Sequence, residues 1–162
     1  MAEGLPYVRS FRELVVYGKA RQLSQSIFQL SRHFPREEAY SLTDQIRRAS
    51  RSVGANIAES WGKRGYERHF VSKLTDADSE QLETQHWLEV ATDCGYLTRE
   101  QVQPLLRACE EIGRLLGGMI ARSDAFCNPA ALREPPPAYL TSLPDESSST
   151  EISSFSLPST DY

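Results

Sequence analysis

Residues 45–59 constrain the fold of this 162-residue chain more than any other segment. Read as a helix, the region carries an apolar ridge with helical spacing at Leu42, Ile46, Ala49, Val53 and Ile57. A polar line runs beside the ridge at Gln45, Ser52, Asn56 and Glu59. Polar groups next to a packed face lower stability unless they find hydrogen-bond partners. We therefore expect this helix to meet other helices whose side chains supply those partners.

The segment before it predicts a first helix. Ser10 and Glu13 have the spacing of a capping box, in which both side chains satisfy the first backbone amides of a helix. Beyond them, an apolar stripe extends over about 22 residues. Its members are Val16, Ala20, Leu23, Ile27 and Leu30. Pro35 ends the helix because proline disfavours helical geometry in the residue before it.

Three further helices are predicted after Pro35. The second helix starts near Ser41 or Thr43 and ends at Gly62. The third helix runs from about residue 66 to residue 93, and the short turn between two glycines that precedes it makes it antiparallel to the second. The third helix puts polar and apolar residues on one face: Phe70, Leu74, Ala77, Gln81, Thr84, Gln85 and Leu88. The fourth starts at a capping box formed by Thr98 and Gln101. Its apolar positions are Val102, Leu106, Cys109, Ile112, Leu116, Met119 and Ile120.

Four amphipathic helices with short connections predict an all-α fold, an antiparallel up-down-up-down four-helix bundle with coiled-coil-like packing. We assign residues 1–9 to an N-terminal arm and residues 10–128 to the bundle. Residues 129–162 are rich in proline, serine and acidic side chains and lack apolar periodicity. That composition predicts a disordered C-terminal tail.

Charge and cysteine content limit the partners and the compartment. The chain has a net charge of -4, from 18 bases and 22 acids, and the acidic tail accounts for the imbalance. A neutral bundle argues against nucleic-acid binding over the whole surface. Three cysteines are too few for a disulfide framework, which indicates reduced thiols and a cytoplasmic protein. We see no signal peptide, and no apolar run approaches the roughly 18 residues that span a bilayer, so no membrane partner is expected.

Catalytic and metal-binding patterns are weak. A di-metal carboxylate bundle needs two Glu-x-x-His motifs, and the chain has one, at Glu83 and His86. The positions of Cys94 and Cys109 are typical of small buried side chains rather than nucleophiles. The glycines of the fourth helix follow no strand, so they form no phosphate loop and instead favour close helix approach. We expect no cofactor and no metal, and an enzyme is the least supported class.

Several motifs occur in one order along residues 5–126. They are Phe11-Arg-Glu-Leu-Val, His33-Phe-Pro, Tyr40-Ser-Leu-Thr-Asp-Gln, Arg47-Arg-Ala-Ser, Ala55-Asn-Ile-Ala-Glu, Glu83-Thr-Gln and Cys94-Gly-Tyr-Leu. Together they resemble the bacterial four-helix-bundle proteins first noticed as products of intervening sequences in large-subunit ribosomal RNA genes.

The resemblance implies a homopentamer whose function is mostly unassigned. It also implies kinship with the accessory variability determinant of diversity-generating retroelements, which binds nucleic acid and a reverse transcriptase. Such accessory proteins are basic, whereas this chain is acidic. Nucleic acid is therefore an alternative partner and not the favoured one.

The charges of the second and third helices are segregated, and three interpretations stay open. Bases dominate residues 47–68, and residues 76–93 contain six acids and no base. The two helices could neutralise each other within one chain. They could instead form a head-to-tail interface between copies, which apolar residues outside the core face of the third helix favour: Val71, Leu82, Trp87 and Val90. Lastly, phosphates could meet the bases Arg47, Arg51, Lys63, Arg64 and Arg68.

The polar residues of the same two helices suggest a further hypothesis. We expect an interhelical hydrogen-bond network that fixes pairing and register, with a small-molecule pocket as the competing interpretation. Its members are Gln45, Arg48, Ser52, Asn56, Glu59, Gln81, Thr84 and Gln85. Two function classes follow. The first is a non-enzymatic oligomeric scaffold or adaptor for an unknown protein partner. The alternative is an accessory protein that binds structured RNA through residues 47–68.

Overall fold

A computed structural model of the chain describes residues 8–128. Two 3-10 turns, Phe11–Glu13 and Arg36–Glu38, flank the first helix. The α-helices are α1 (Val15–Ser31), α2 (Leu42–Gly62), α3 (Glu67–Asp93), α4 (Arg99–Ala121) and α5 (Ser123–Cys127). No strand occurs among these residues, so the prediction of an all-α four-helix bundle is confirmed. The predicted tail 129–162, and all but the last two residues of the predicted arm 1–9, lie outside the described residues.

The four long helices form a closed bundle. Helix α2 packs against α1 and α3, and α4 packs against α3 and α1. Short connections make successive helices antiparallel. The largest fully buried side chains come from all four helices and form one core: Ile27, Ile46, Val53, Ile57, Phe70, Leu74, Leu88, Ile112 and Leu116. Between residues 8 and 128, no helix combines the length and apolar character needed to cross a membrane.

Helix α1 begins later than the capping box predicted. The Ser10 hydroxyl accepts a hydrogen bond from Arg12 N at 3.3 Å, and the Glu13 carboxylate accepts one from Arg9 N at 3.0 Å. These bonds stabilise the turn Phe11–Glu13 and not the α-helix. Leu14 is extended (φ -68°, ψ 125°) and buried, which breaks the helical path. The first α-helix is therefore 17 residues long, and the longer prediction was wrong.

The other helix ends agree with the sequence patterns. Helix α2 starts at Leu42, whose amide donates to the Glu38 carboxylate at 3.3 Å. The Tyr96 hydroxyl donates to the same carboxylate at 3.0 Å. Hydrogen bonds from Ser41, Leu42 and Tyr96 together lower the pKa of Glu38. The capping box of α4 is present, with Gln101 N donating to Thr98 Oγ1 at 3.3 Å and Thr98 N to Gln101 Oε1 at 2.9 Å.

The cysteines differ from one another. Cys109 is fully buried in α4, as predicted, and burial raises the pKa of its thiol to about 12. Cys94 is exposed, so the prediction that it is buried was wrong. It is the C-cap of α3, next to Gly95 with φ 74°, where the chain turns away from the core.

Helix α5 was not predicted, and it covers one end of the bundle. The Phe126 ring stacks on the Phe70 ring, with centroids 5.7 Å apart. The Ser123 hydroxyl donates to the Glu67 carboxylate in the first turn of α3. A five-residue helix has too few positions for a periodic signal, so sequence periodicity could not reveal it.

Candidate functional site

The bases that the sequence singled out divide between two surfaces. Arg47 and Arg51 lie towards α1, with guanidinium carbons 5.0 and 5.8 Å from the centre of the Phe28 ring. Arg47 Nε also donates to the Ser31 hydroxyl at 2.7 Å. Lys63 lies twelve residues after Arg51, which is about 18 Å along a helix. The stretch 47–68 therefore does not form one continuous basic surface.

Arg64 packs against the C-terminal end of α2. Its side chain is buried, with 8% of the residue surface exposed. The guanidinium carbon lies 3.5 Å from the centre of the Trp61 ring, and Nε donates to the Trp61 carbonyl at 2.9 Å. This geometry packs Arg64 against the bundle instead of presenting it to a ligand.

A basic pocket lies where α2 turns into α3. Its volume is about 430 Å³, and its lining residues are Lys63, Arg68, His69, Ser72 and Lys73. The first of these is the C-cap of α2, and the other four come from the first two turns of α3. Within residues 8–128, neither Lys63 nor Arg68 has an ion-pair partner.

Lys73 connects α3 to α2. Its Nζ lies 2.8 Å from Glu59 Oε2, 3.4 Å from Asn56 Oδ1 and 3.5 Å from Asp76 Oδ2. The hydrogen bond with Glu59 is the largest cause that raises the pKa of Lys73. Two residues of the predicted polar network, Asn56 and Glu59, thus reach α3 through a lysine that the sequence analysis had left out.

The remaining polar residues of α3 bond within their own helix. Gln81 Nε2 donates to Asp78 Oδ1 at 3.0 Å, and Gln85 Nε2 donates to Gln81 Oε1 at 2.7 Å. The hydroxyl of Thr84, which is fully buried, donates to the Glu80 carbonyl at 2.8 Å. A Cβ added at Gly113 of α4 would lie 3.0 Å from Gln81 Nε2, so this amide lies close to the α4 backbone.

The polar residues of α2 make few contacts across the helix pair. Arg48 pairs with Asp44 of its own helix at 3.7 Å. Gln45 and Ser52 make no side-chain hydrogen bond in the described part of the chain. No direct hydrogen bond between residues 8 and 128 therefore joins the α2 set to Gln81, Thr84 or Gln85. That these residues fix helix pairing and register stays a prediction.

Within residues 8–128, Arg47, Arg48, Arg51, Lys63 and Arg68 form no ion pair with an acid of α3. The ion pair between the two helices runs in the opposite sense, from the acid Glu59 of α2 to the base Lys73 of α3. Burial, and then the neighbouring Glu83, raise the pKa of Glu80, whereas the charge of Arg48 acts in the other direction. Of the six acids in residues 76–93, five have no ion-pair partner among residues 8–128: Asp78, Glu80, Glu83, Glu89 and Asp93.

The apolar residues that the sequence assigned to an oligomer interface lie outside the α3 core stripe. That stripe follows a heptad spacing, with buried Phe70, Leu74, Ala77, Gln81, Thr84, Leu88 and Ala91. Leu82 is 55% exposed, and Val71, Trp87 and Val90 are half-buried at the edge of the core. Trp87 Nε1 donates to Glu83 Oε1 at 2.9 Å. Helix α3 therefore carries apolar surface that the bundle does not cover completely.

Three pocket residues were missed by the sequence analysis: His69, Ser72 and Lys73. A signal was available, because Arg68 and Ser72, and likewise His69 and Lys73, have the four-residue spacing that places side chains together on a helix. The predicted basic segment, residues 47–68, ended just before Ser72 and Lys73 and was defined without His69. Within the described residues, no group of three or more histidine, cysteine, aspartate or glutamate side chains is placed to hold a metal ion.

Comparison with known proteins gives the family. The family model for the 23S rRNA-intervening sequence protein matches residues 12–118. A crystal structure from Bacteroides thetaiotaomicron, described as a protein of unknown function from the S23 ribosomal protein family, is similar to this chain with a TM-score of 0.60 and 33% identity. That similarity covers 65% of this chain and 98% of the other. No curated protein matches. The resemblance drawn from the motifs is confirmed, and the chain belongs to the 23S rRNA-intervening sequence protein family.

Proposed function

We propose that this protein is a non-enzymatic scaffold or adaptor of the cytoplasm that assembles from copies of itself through α3. The observation that carries the proposal is the uncovered apolar surface of α3 beside its unpaired acids. The assembly is a closed ring, and five copies is the number that the family resemblance implies. The ring presents its acidic tails to a protein partner.

The apolar argument rests on the positions of the α3 side chains. Single exposed apolar residues are ordinary on monomeric proteins, so Leu82 by itself would need no explanation. However, Val71 and Leu82 are eleven residues apart, which is close to three helical turns, so they lie along one side of α3. A helix whose core face already follows a heptad needs no second apolar side in a monomer. A second copy of the chain is the occupant that we propose for it.

The charge argument supports the same occupant. Arg47 and Arg51 of α2 have no ion-pair partner among residues 8–128, and neither has Glu89 of α3. The bases of one surface can pair with the acids of the other surface in a neighbouring copy, whereas they form no such ion pairs within one copy among residues 8–128. Contacts between two different surfaces are heterologous, and they generate a ring when the rotation closes.

Nucleic-acid binding through residues 47–68 is the less supported function. Arg51 lies about 18 Å and Arg47 about 24 Å along α2 from Lys63, and Arg64 is buried against Trp61. A binding surface that follows a nucleic-acid backbone needs a continuous row of bases. The described residues place these bases in separate groups.

Sedimentation velocity of two charge-introducing variants tests the proposal. Leu82→Glu places a carboxylate on the α3 surface and should convert the assembly to smaller species. Val15→Glu is the matched control, because Val15 is 66% exposed on α1 and lies outside the proposed interface. It should leave the sedimentation coefficient unchanged. An assembly that survives Leu82→Glu, or that both variants dissociate equally, would contradict an interface on α3.

A further inference from the structure

We infer that the basic pocket between α2 and α3 binds a phosphate-bearing anion. Four of its five lining residues are bases, namely Lys63, Arg68, His69 and Lys73, and the fifth is Ser72. A volume of about 430 Å³ lies within the range of small-molecule sites, roughly 300–1,000 Å³. This inference does not depend on self-association.

The pocket keeps donors available for a ligand. Lys73 already faces three acceptors, in Asn56, Glu59 and Asp76, so its three protons are matched within the protein. Lys63 and Arg68 have no ion-pair partner in the described part of the chain. Because Lys73 is held in place and the other two are not paired, Lys63 and Arg68 are the side chains that an anion would recruit.

Ser72 supplies a neutral donor beside them. Other hydroxyls of α3 donate to the carbonyl four residues earlier: Thr75 at 2.9 Å, Ser79 at 3.1 Å, Thr84 at 2.8 Å and Thr92 at 2.9 Å. Ser72 makes no such bond, and its hydroxyl has no partner among residues 8–128. The α3 hydroxyl that lines the pocket is thus the one that has no hydrogen-bond partner within residues 8–128.

The position of the pocket adds to its preference for anions. Four of its residues belong to the first two turns of α3, and the N-cap Tyr66 makes no side-chain cap hydrogen bond. The N-terminal end of a 27-residue helix carries partial positive charge, which adds to that of the lysines and arginine. Phosphate groups match this combination of cationic and hydroxyl donors.

A free polyphosphate and the backbone of a nucleic acid share this chemistry, so the test uses both. Isothermal titration calorimetry of the full chain with tripolyphosphate, and separately with a single-stranded RNA oligonucleotide, would be run at about 0.1 M salt to limit nonspecific attraction. The variant Lys63→Gln, Arg68→Gln removes the available bases. The control Arg107→Gln, Arg114→Gln removes the same charge from the exposed side of α4.

We expect tripolyphosphate to bind, and Lys63→Gln, Arg68→Gln to weaken its binding by about tenfold for each base removed. The control should change the affinity less than about twofold, and Ser72→Ala should weaken it about threefold. RNA binding with the same dependence on Lys63 and Arg68 would support the pocket and identify nucleic acid as the phosphate source. Equal losses in the two charge variants would overturn the inference, and so would the absence of binding to either probe.

Discussion

Helices α3 and α4 are neighbours of similar length, 27 and 23 residues, and they use their surfaces differently. Helix α4 buries only apolar side chains and exposes no large apolar side chain within the described residues. Helix α3 buries Gln81 and Thr84 in the middle of its core stripe and leaves Leu82 exposed. The large apolar side chains of α4 are all buried or half-buried within one chain, whereas α3 leaves Leu82 exposed outside its core face. This difference supports our proposal that α3 is the helix through which two copies of the protein meet.

The sharpest contrast between the two helices concerns their cysteines. In the Leu82→Glu chain, where contacts between copies are removed, exposed Cys94 should react rapidly with a thiol reagent. Buried Cys109 should react only through unfolding, at least about a thousandfold more slowly. Mass spectrometry of the labelled peptides measures both rates. Comparable rates would show that the α4 face is not closed.

The same thiol predicts how stability depends on pH. The pKa of Cys109 is about 12 in the folded chain, against an ordinary value of 9.0. Between these values the folded chain keeps a proton that the unfolded chain releases, so the free energy of unfolding falls as pH rises from 9 towards 12. Replacing Cys109 with alanine should reduce that slope in urea titrations.

Truncation of one leucine on each helix should separate core from surface. Leu116→Ala in α4 should lower the free energy of unfolding by about 2–5 kcal/mol, because it leaves a cavity at a fully buried position. Leu82→Ala, measured in protein diluted until the copies separate, should alter the free energy of unfolding by less than about 0.5 kcal/mol, because Leu82 is exposed. Urea unfolding measures both values. A large effect at Leu82 in the separated chain would mean that α3 buries it within the bundle.

Two glycines of α4 test how closely the helices approach. A Cβ at Gly117 meets no atom within 4 Å, so Gly117→Ala should stabilise the chain by about 0.5–1 kcal/mol through helix propensity. A Cβ at Gly113 would lie 3.0 Å from Gln81 Nε2 and 3.3 Å from Asp78 Oδ1. Gly113→Ala should therefore raise the stability of the chain less than Gly117→Ala does, or lower it. Equal increases in the melting temperature of the two variants would mean that Gln81 does not limit how closely α4 approaches α3.

The smallest expected change in stability comes from replacing a polar residue of α2. Asn56→Leu removes a long hydrogen bond from Lys73, at 3.4 Å, and adds apolar surface, so the melting temperature should rise slightly. The predicted role in register requires that the oligomer become heterogeneous at the same time. An unchanged assembly in native mass spectrometry would contradict that role.

The bundle was predictable because its signals are periodic. The ridge from Leu42 to Ile57 and the capping box at Thr98 act through neighbours close in sequence, so their spacing was sufficient. Helix α1 was misjudged because a capping box can also stabilise a 3-10 turn, and burial of Leu14 decides between the two outcomes. In α4, Leu105 is buried at the position that the periodicity assigned to Leu106.

The candidate site was less predictable, because its contacts join different helices. The position of Lys73 between Asn56 and Glu59 depends on the register of α2 against α3, which one helix pattern cannot supply. Likewise, the segregation of charge was visible in the sequence, but the contact of Arg47 and Arg51 with Phe28 of α1, and the pocket that Lys63 shares with α3, depend on how the helices pack.

Size-exclusion chromatography with light scattering, with absorbance recorded at 260 and 280 nm, tests self-association through α3 most directly. For the unmodified 18.3 kDa chain, a ring of five copies has a mass of about 92 kDa. We expect that mass without nucleic-acid absorbance, and its loss in Leu82→Glu. A mass of one chain at micromolar concentration would contradict the account, because the exposed side of α3 would then have no second copy to cover it.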